Sequence, residues 1–561
     1  ILKMIHWMGL IRRISSVPKK NIRGWFIVAI FMALLAIVAY RLGVLYIQQR
    51  AFLQKQGQMR SDRNKQLLSP RGAIVDKNGT PLALSTKVYH LWINPRVLSL
   101  SKEERTHLES IVPGVFHQIQ NQMIHKKTAF RYVMRNLSPG TGLAIKKLHI
   151  RGLGIEMGYK RYYPLGDAAA PLIGIVGREG AGLEGIEKSM NSQLTAKAGS
   201  MAVEQSVKGH VLGARAQKNA PQPGKTLYLT IDGHVQKILY QAIAQQARLH
   251  DCDGAAAVMV DIASGDIIAM ASYPSFNPQN LADIKPEGLR NRVLLDQFEP
   301  GSLVKPLVLA YALESGHYSG DEIIETGGHF KIGKQYVYDH RDYGALDFST
   351  IIKKSSNIAM SKIVANLDPY DLIENFSRFS IAQPQYIAQM KSSGGYLPAG
   401  LRGAFAKAVF SFGYGLSSNL LQLAQAYAII ASGGKMVPLH LLASSATVPA
   451  SSQVLQSSVA KQILSYLKTT SQTGGTATRA KVQHIAVAGK TGTVRKVSPE
   501  GGYTLNNYLA LYAGIIPADA PRYVMVIMMD NPKDKGYYGG VVAAPVFAKV
   551  MEQLKMLQYF S

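Results

Sequence analysis

The chain has 561 residues, 47% hydrophobic and 17% charged, which excludes a single small core, a collagen-like repeat and a disordered polymer. Its one cysteine, Cys252, excludes an internal disulfide framework and a cysteine-rich zinc or iron–sulfur cage. The net charge is +28, but no basic helix, zinc finger or RNP-like aromatic pattern accompanies it, so nucleic acid is not the expected partner and an anionic envelope polymer or membrane surface is.

The charge is unevenly placed. Residues 1–23 carry six basic groups and no acid, and residues 375–499 carry twelve and no acid. The first cluster precedes GWFIVAIFMALLAIVAY (24–40), an uncharged run about 26 Å long as a helix. Arg41 can snorkel, so the apolar stretch extends to Ile47 and is long enough to span a bilayer. The basic flank orients residues 1–23 to the cytoplasm. No small-residue cleavage site follows, so an uncleaved anchor at 24–47 is expected, with the rest of the chain outside the cytoplasm.

Residues 48–66 read as a polar juxtamembrane helix. RGAIVDKNGTPLALS (71–85) reads as two strands around an Asn78-Gly79 turn. KNAPQPGKT (218–226) marks a boundary, giving a module at 48–220 and a second at 221–561. The second opens with a strand and an amphipathic helix. A hairpin turning at Ala263–Asp266 follows, then a helical middle from about 302 to 430, more strands, and a last helix in APVFAKVMEQLKML. This order predicts an α+β fold with an antiparallel sheet flanked by helices.

Three short motifs recur in a telling order. Ser302-Leu303-Val304-Lys305 is an S-x-x-K after a Pro-Gly break; the spacing alone is common, as at Ser16–Lys19 and Ser458–Lys461. Ser355-Ser356-Asn357 is an S-x-N on a polar turn, and Ser417–Asn419 is a second candidate of that type. Lys490-Thr491-Gly492 is the one K-T-G, and it follows the apolar run IAVAG, so it is expected on a strand. A serine needs a base to become a nucleophile. At i and i+3 on a helix Ser302 and Lys305 share a face, and a desolvated lysine with a cationic neighbour such as Lys490 has a lowered pKa. Lys490, Thr491 and Thr493 offer a cation and hydroxyls to a carboxylate, and Asn357 offers an amide to a peptide carbonyl.

Two further clusters invite chemistry and carry little. Glu184 and Glu187 are spaced as paired carboxylates but read as a structural turn. His250-Asp251-Cys252-Asp253 places adjacent residues in different directions, so no metal is expected there, nor any cofactor.

S-x-x-K, S-x-N and K-T-G in this order resemble the penicillin-binding proteins and class A β-lactamases. With RGAIVDKNG (71–79), RYYPLG (161–166), GLEGIE (182–187), FEPGSLVKP (298–306), FSFGYGL (410–416) and YYGGVVAAPVF (537–547), nearly the whole chain resembles a class B penicillin-binding protein of the division-specific FtsI type. The resemblance implies a penicillin-binding/serine β-lactamase-like transpeptidase domain on an elongated periplasmic pedestal with one transmembrane helix. It implies septal peptidoglycan D,D-transpeptidation: Ser302 as nucleophile, Lys305 as its base, Ser355 as proton relay, Asn357 as substrate contact, and Lys490, Thr491, Gly492 and Thr493 around the substrate carboxylate. The backbone N–H groups of Ser302 and Thr493 would form the oxyanion hole. Stem peptides, lipid-linked nascent strands and β-lactams are the implied ligands, and a septal membrane glycosyltransferase with other division proteins the implied partners. The alternatives are a β-lactamase or an inactive divisome scaffold. Two departures stand out: Leu303 where the family has threonine or another small residue, and SSN at 417–419 where it often has threonine-proline.

Overall fold

The structure is a computed structural model describing residues 22–124, 128–205, 211–443, 450–498 and 500–560. The basic residues of 1–21 lie outside the described residues. Helix α1 (Ile22–Ile47) is 26 residues long, about 39 Å at 1.5 Å per residue. Its apolar side chains from Trp25 to Leu42 are exposed, as are Tyr46 and Ile47, and among the described residues it is the one helix long and apolar enough to cross a membrane.

The described residues group into two compact units, one drawn from 22–68, 198–205 and 211–222, the other from 69–197 and 223–560 where these are described. In the first, the expected helix over 48–66 is shorter: a helix covers Arg50–Ser61, and Asp62–Leu67 is a strand. That strand pairs antiparallel with Gly199–Gln205, which pairs with Val211–Asn219. The strand was hidden because its partner is more than a hundred residues away.

In the second unit, the Asn78-Gly79 turn forms as expected, with Gly79 at φ 81°. Asp76 fixes it, its Oδ1 accepting from the N–H groups of Asn78 and Thr80. Its Oδ2 accepts from Gly233 N–H at 3.1 Å, at the start of helix α2 (Gly233–Leu249). Glu187 is fully buried between Arg71 Nε at 2.6 Å and Arg161 Nε at 2.7 Å, which joins the RGAIVD, RYYPLG and GLEGIE stretches in one cluster. Glu184 lies outside that cluster, half-exposed. Removing one partner of such a buried pair costs about 3–5 kcal/mol, so Glu187 is structural.

One of the two five-stranded sheets among the described residues comprises β1 (Gly254–Asp261), β2 (Ile267–Tyr273), β3 (Ala488–Val497), β4 (Tyr503–Ile516) and β5 (Tyr523–Asp530). Its order is β2-β1-β5-β4-β3, antiparallel throughout. Alternation along β5 sends Val524, Val526 and Met528 to one core and Met525, Ile527 and Met529 to another. α2 and the terminal helix α6 (Ala544–Met556) cover the second face. The first is covered by α3 (Lys305–Glu314) and α5 (Leu420–Ala431), the latter buried on every side; α4 (Asn357–Ala365) packs into the same core.

Candidate active site

The Pro-Gly break makes a tight turn rather than an α-helical start. Gly301–Val304 is a 3₁₀ turn that hands over to α3 at Lys305. Gly301 has φ +55°, and a Cβ there would lie 2.4 Å from Val494 Cγ2 on β3. Its N–H donates to Gly413 O at 3.2 Å, and a Cβ on Gly413 would sit 2.2 Å from Gly301 O. The stretch FSFGYGL and the strand carrying K-T-G thus clamp the Ser302 turn from two sides. Only glycine permits both the left-handed backbone and the close approach.

Lys305 is fully buried, and its hydrogen bonds run across the cleft instead of along the helix to Ser302. Nζ donates to Ser355 O at 2.6 Å, Ser355 Oγ at 3.3 Å and Asn357 Oδ1 at 2.7 Å. Ser355 presents that carbonyl because it caps the helix Phe348–Lys354 in the left-handed region, at φ 60°. Lys490, also fully buried, donates from the opposite side to Ser355 Oγ at 2.8 Å and to Thr491 O at 3.0 Å. The Ser355 hydroxyl therefore stands between two lysine Nζ atoms. Burial draws Lys305 down to about 7, against the pull of Asp339. Burial also holds Lys490 well below the ordinary lysine range, and the charge on Lys305 pushes the same way.

Asp339 escaped the sequence reading. It follows the strand Gln335–Tyr338 and accepts from the Ser356 hydroxyl and from the N–H groups of Asn357 and Ile358, so it fixes the start of α4 and with it the S-x-N turn. Glu299 was also passed over. Its Oε1 accepts from Gly415 N–H at 2.8 Å and the Tyr503 hydroxyl at 3.2 Å, and burial raises its carboxyl. In sequence both are lone acids, and only tertiary contacts reveal what they hold.

K-T-G lies on β3 as expected. β3 is an edge strand, paired on one side with β4. Thr493 Oγ1 accepts from Gly539 N–H at 3.0 Å, and a Cβ on Gly539 would lie 2.3 Å from Gly492 O, so the YYGG stretch packs directly behind the motif. Leu303 is fully buried, its Cγ 3.2 Å from where a Gly492 Cβ would be. Tyr427 donates its hydroxyl to Leu303 O at 2.8 Å. The second S-x-N is built differently: Asn419 caps α5 by accepting from Gln422 N–H, and Ser418 exchanges backbone hydrogen bonds with Phe298. Asp371 accepts from the Tyr311 hydroxyl at 3.2 Å, toward the far end of α3. In the His250–Asp253 cluster, Asp253 pairs with Lys533 and Asn531, His250 bonds Asp534 O, and burial pushes the Cys252 thiol up to about 12.

Residues 255–552 match the penicillin binding protein transpeptidase domain, and residues 66–229 the penicillin-binding protein dimerisation domain. The chain is 34% identical to the probable peptidoglycan D,D-transpeptidase PbpC of Pseudomonas aeruginosa, over 96% of this chain and 95% of that protein. It is 32% identical to the peptidoglycan D,D-transpeptidase FtsI of Escherichia coli K12, over 95% and 91%. Among solved structures, penicillin-binding protein 3 of Mycobacterium tuberculosis complexed with aztreonam aligns with a TM-score of 0.69 at 24% identity, over 88% of this chain and 98% of that one. Penicillin Binding Protein 2X of Streptococcus thermophilus aligns at 0.72 and 20%, over 88% and 80%. The Ser302–Lys305, Ser355–Asn357 and Lys490–Gly492 motifs all fall inside the matched domain, and the chain belongs to the penicillin-binding protein transpeptidase family.

Proposed function

We propose that this protein is a division-specific peptidoglycan D,D-transpeptidase that works through a serine acyl-enzyme and is acylated by β-lactams. The observation that carries the reading is the shared Ser355 hydroxyl, reached by two buried lysines beside the Ser302 turn. A lysine held near pH 7 is neutral often enough to take the Ser302 proton. Ser302 Oγ attacks the penultimate D-Ala carbonyl carbon, and the proton passes to Lys305 Nζ. The C–N bond then breaks, and the leaving D-Ala amine takes a proton through Ser355, which Lys490 keeps polarised. An amine of a neighbouring strand attacks the ester, forms the cross-link and returns the Ser302 proton.

The backbone N–H groups of Ser302 and Thr493 are the assigned oxyanion donors. Lys490, Thr491 and Thr493 take the terminal carboxylate, Gly492 keeps β3 close to the turn, and Asn357 holds the stem-peptide amide. The open edge of β3 suits an extended peptide added as a further strand. The reading assigns residues 1–23 to the cytoplasm, 24–47 to the inner membrane, 48–220 to a periplasmic pedestal and 221–561 to catalysis. The pedestal is the assigned docking module for a septal glycosyltransferase and other division proteins.

Labelling with a fluorescent penicillin, followed by mass mapping, tests the reading. A stable adduct on Ser302, lost in Ser302→Ala and kept in Ser417→Ala, is expected. Rapid turnover of the penicillin would instead indicate a β-lactamase, and an unlabelled parent protein an inactive scaffold.

A further inference from the structure

The hairpin formed by His329–Ile332 and Gln335–Tyr338 has two unlike faces. On the inner face, Val337 is buried, and Phe330 and Ile332 pack with it against Ile358 and Phe412. The outer face carries His329, Lys331, Tyr336 and Tyr338, all exposed, with Tyr336 at 43% and Tyr338 at 62%. Their rings cluster in a near-equilateral triangle: Tyr336 and Tyr338 lie 6.2 Å apart with planes 29° from parallel, and His329 lies 5.8 Å from Tyr336 and 6.5 Å from Tyr338. Lys331 Nζ sits 5.9 Å from the Tyr336 ring, and Lys334 is in the turn. A contiguous exposed aromatic face is uncommon on a protein surface unless something covers it.

The face is continuous with the catalytic cleft. Tyr338 O accepts from Asn357 Nδ2 at 3.4 Å, and the next residue is Asp339, which fixes the S-x-N turn. Tyr336 is two residues further, about 7 Å along a strand. An extended peptide spans at most about 3.5 Å per residue. A short stem peptide whose scissile carbonyl lies at Ser302 therefore keeps its own glycan within about 15–20 Å of that serine. A β-1,4-linked N-acetylhexosamine chain has equatorial substituents, so both faces of each ring present weakly positive C–H groups. These match the negative face of a tyrosine ring, and the ring spacing is of the order of one sugar. The flanking lysines complement the carboxylates that glycan and stem carry.

We propose that the outer face of the 329–338 hairpin, with His329, Tyr336 and Tyr338, is a stacking platform for the saccharide backbone of the strand whose stem peptide is being cross-linked. The proposal rests on the transpeptidase reading above and adds to it a place for the sugar. It makes the enzyme recognise a peptidyl glycan instead of a free peptide.

The test uses the full chain in detergent, with two saccharide probes titrated by calorimetry: a neutral β-1,4-linked N-acetylglucosamine tetramer and amidase-stripped glycan strands. A sugar-free stem peptide is the control. Tyr336→Leu keeps apolar bulk without the ring face, and Tyr336→Phe keeps the face without the hydroxyl; thermal melting checks that both fold. The expected result is a fivefold or greater loss of affinity for both saccharides in Tyr336→Leu and less than a twofold change in Tyr336→Phe. Equal saccharide binding by parent and Tyr336→Leu overturns the platform, as does equal loss of the sugar-free peptide. Binding of the stripped strands without the neutral tetramer also overturns it, because it marks a charge site at Lys331 and Lys334. Penicillin labelling of the parent decides the transpeptidase reading separately: a labelled parent that binds neither saccharide sinks the platform alone, and an unlabelled parent that binds both sinks the reading beneath it.

Discussion

Lys305 Nζ donates to the backbone carbonyl of Ser355 at 2.6 Å, and Ser355 offers that carbonyl from a left-handed backbone at φ 60°. A serine there is strained relative to glycine by roughly 1–2 kcal/mol. Ser355→Ala and Ser355→Gly both remove the hydroxyl between the two lysines, so both are expected to slow penicillin acylation by about 100-fold or more. They should differ in stability, with the glycine variant the more stable by about 1 kcal/mol in chemical denaturation. Equal acylation in parent and Ser355→Ala would remove Ser355 from the proton path.

The depressed pKa of Lys305 sets a pH dependence. Acylation should rise with pH around a midpoint near 7, as Nζ loses its proton and becomes a base. Stability has a definite sign as well. The unfolded lysine titrates near 10.4, so between about 7 and that value the unfolded chain binds more protons than the folded one. Stability therefore gains with rising pH in this window, and the penalty of the buried charge is present below it. Lys305→Met should flatten this part of the stability–pH curve, measured by denaturant titration at several pH values.

Asp339 raises the Lys305 pKa against burial. Asp339→Asn removes that anion, so the acidic limb of the acylation profile should move to lower pH. The same change weakens the caps on Asn357 and Ile358 and should cost about 1 kcal/mol of stability. An unmoved limb in a folded variant would show that the carboxylate acts on geometry alone.

Gly301→Ala meets two obstacles, the φ of +55° and the 2.4 Å approach to Val494 Cγ2. It should destabilise the protein by about 1–3 kcal/mol and slow acylation. Adding Val494→Ala is expected to recover the steric part of the loss and leave the backbone part. Full recovery in the double variant would mean that φ imposes no strain.

The legible part of this molecule was order, and the illegible part was contact. The positions of Ser302, Ser355–Asn357 and Lys490–Gly492 along the chain, and the strand beneath K-T-G, could be read directly. The partners of Lys305 could not: sharing a helical face suggested a bond to Ser302, but burial turns the side chain toward the S-x-N turn. Asp339 was invisible because its role depends on a hairpin edge meeting a helix start. Leu303 looked anomalous in sequence and is accounted for by a neighbour: it fills the space that Gly492 leaves empty. The strand Asp62–Leu67 was read as helix because its pairing is wholly non-local.

The four glycines at 301, 413, 492 and 539 enclose the floor of the cleft so closely that a single methyl group meets backbone or a packed side chain at each. Evolution under antibiotic selection has little room to act there. Growth of any of these side chains would displace the serine turn or its backing strand, and would injure wall synthesis along with drug binding. Substitution at these four positions is therefore expected to lower acylation by substrate and by penicillin together, whereas residues such as Tyr414, Tyr503 and Tyr538 are partly or largely exposed and have room to change. There, shape can change while the nucleophile stays in place.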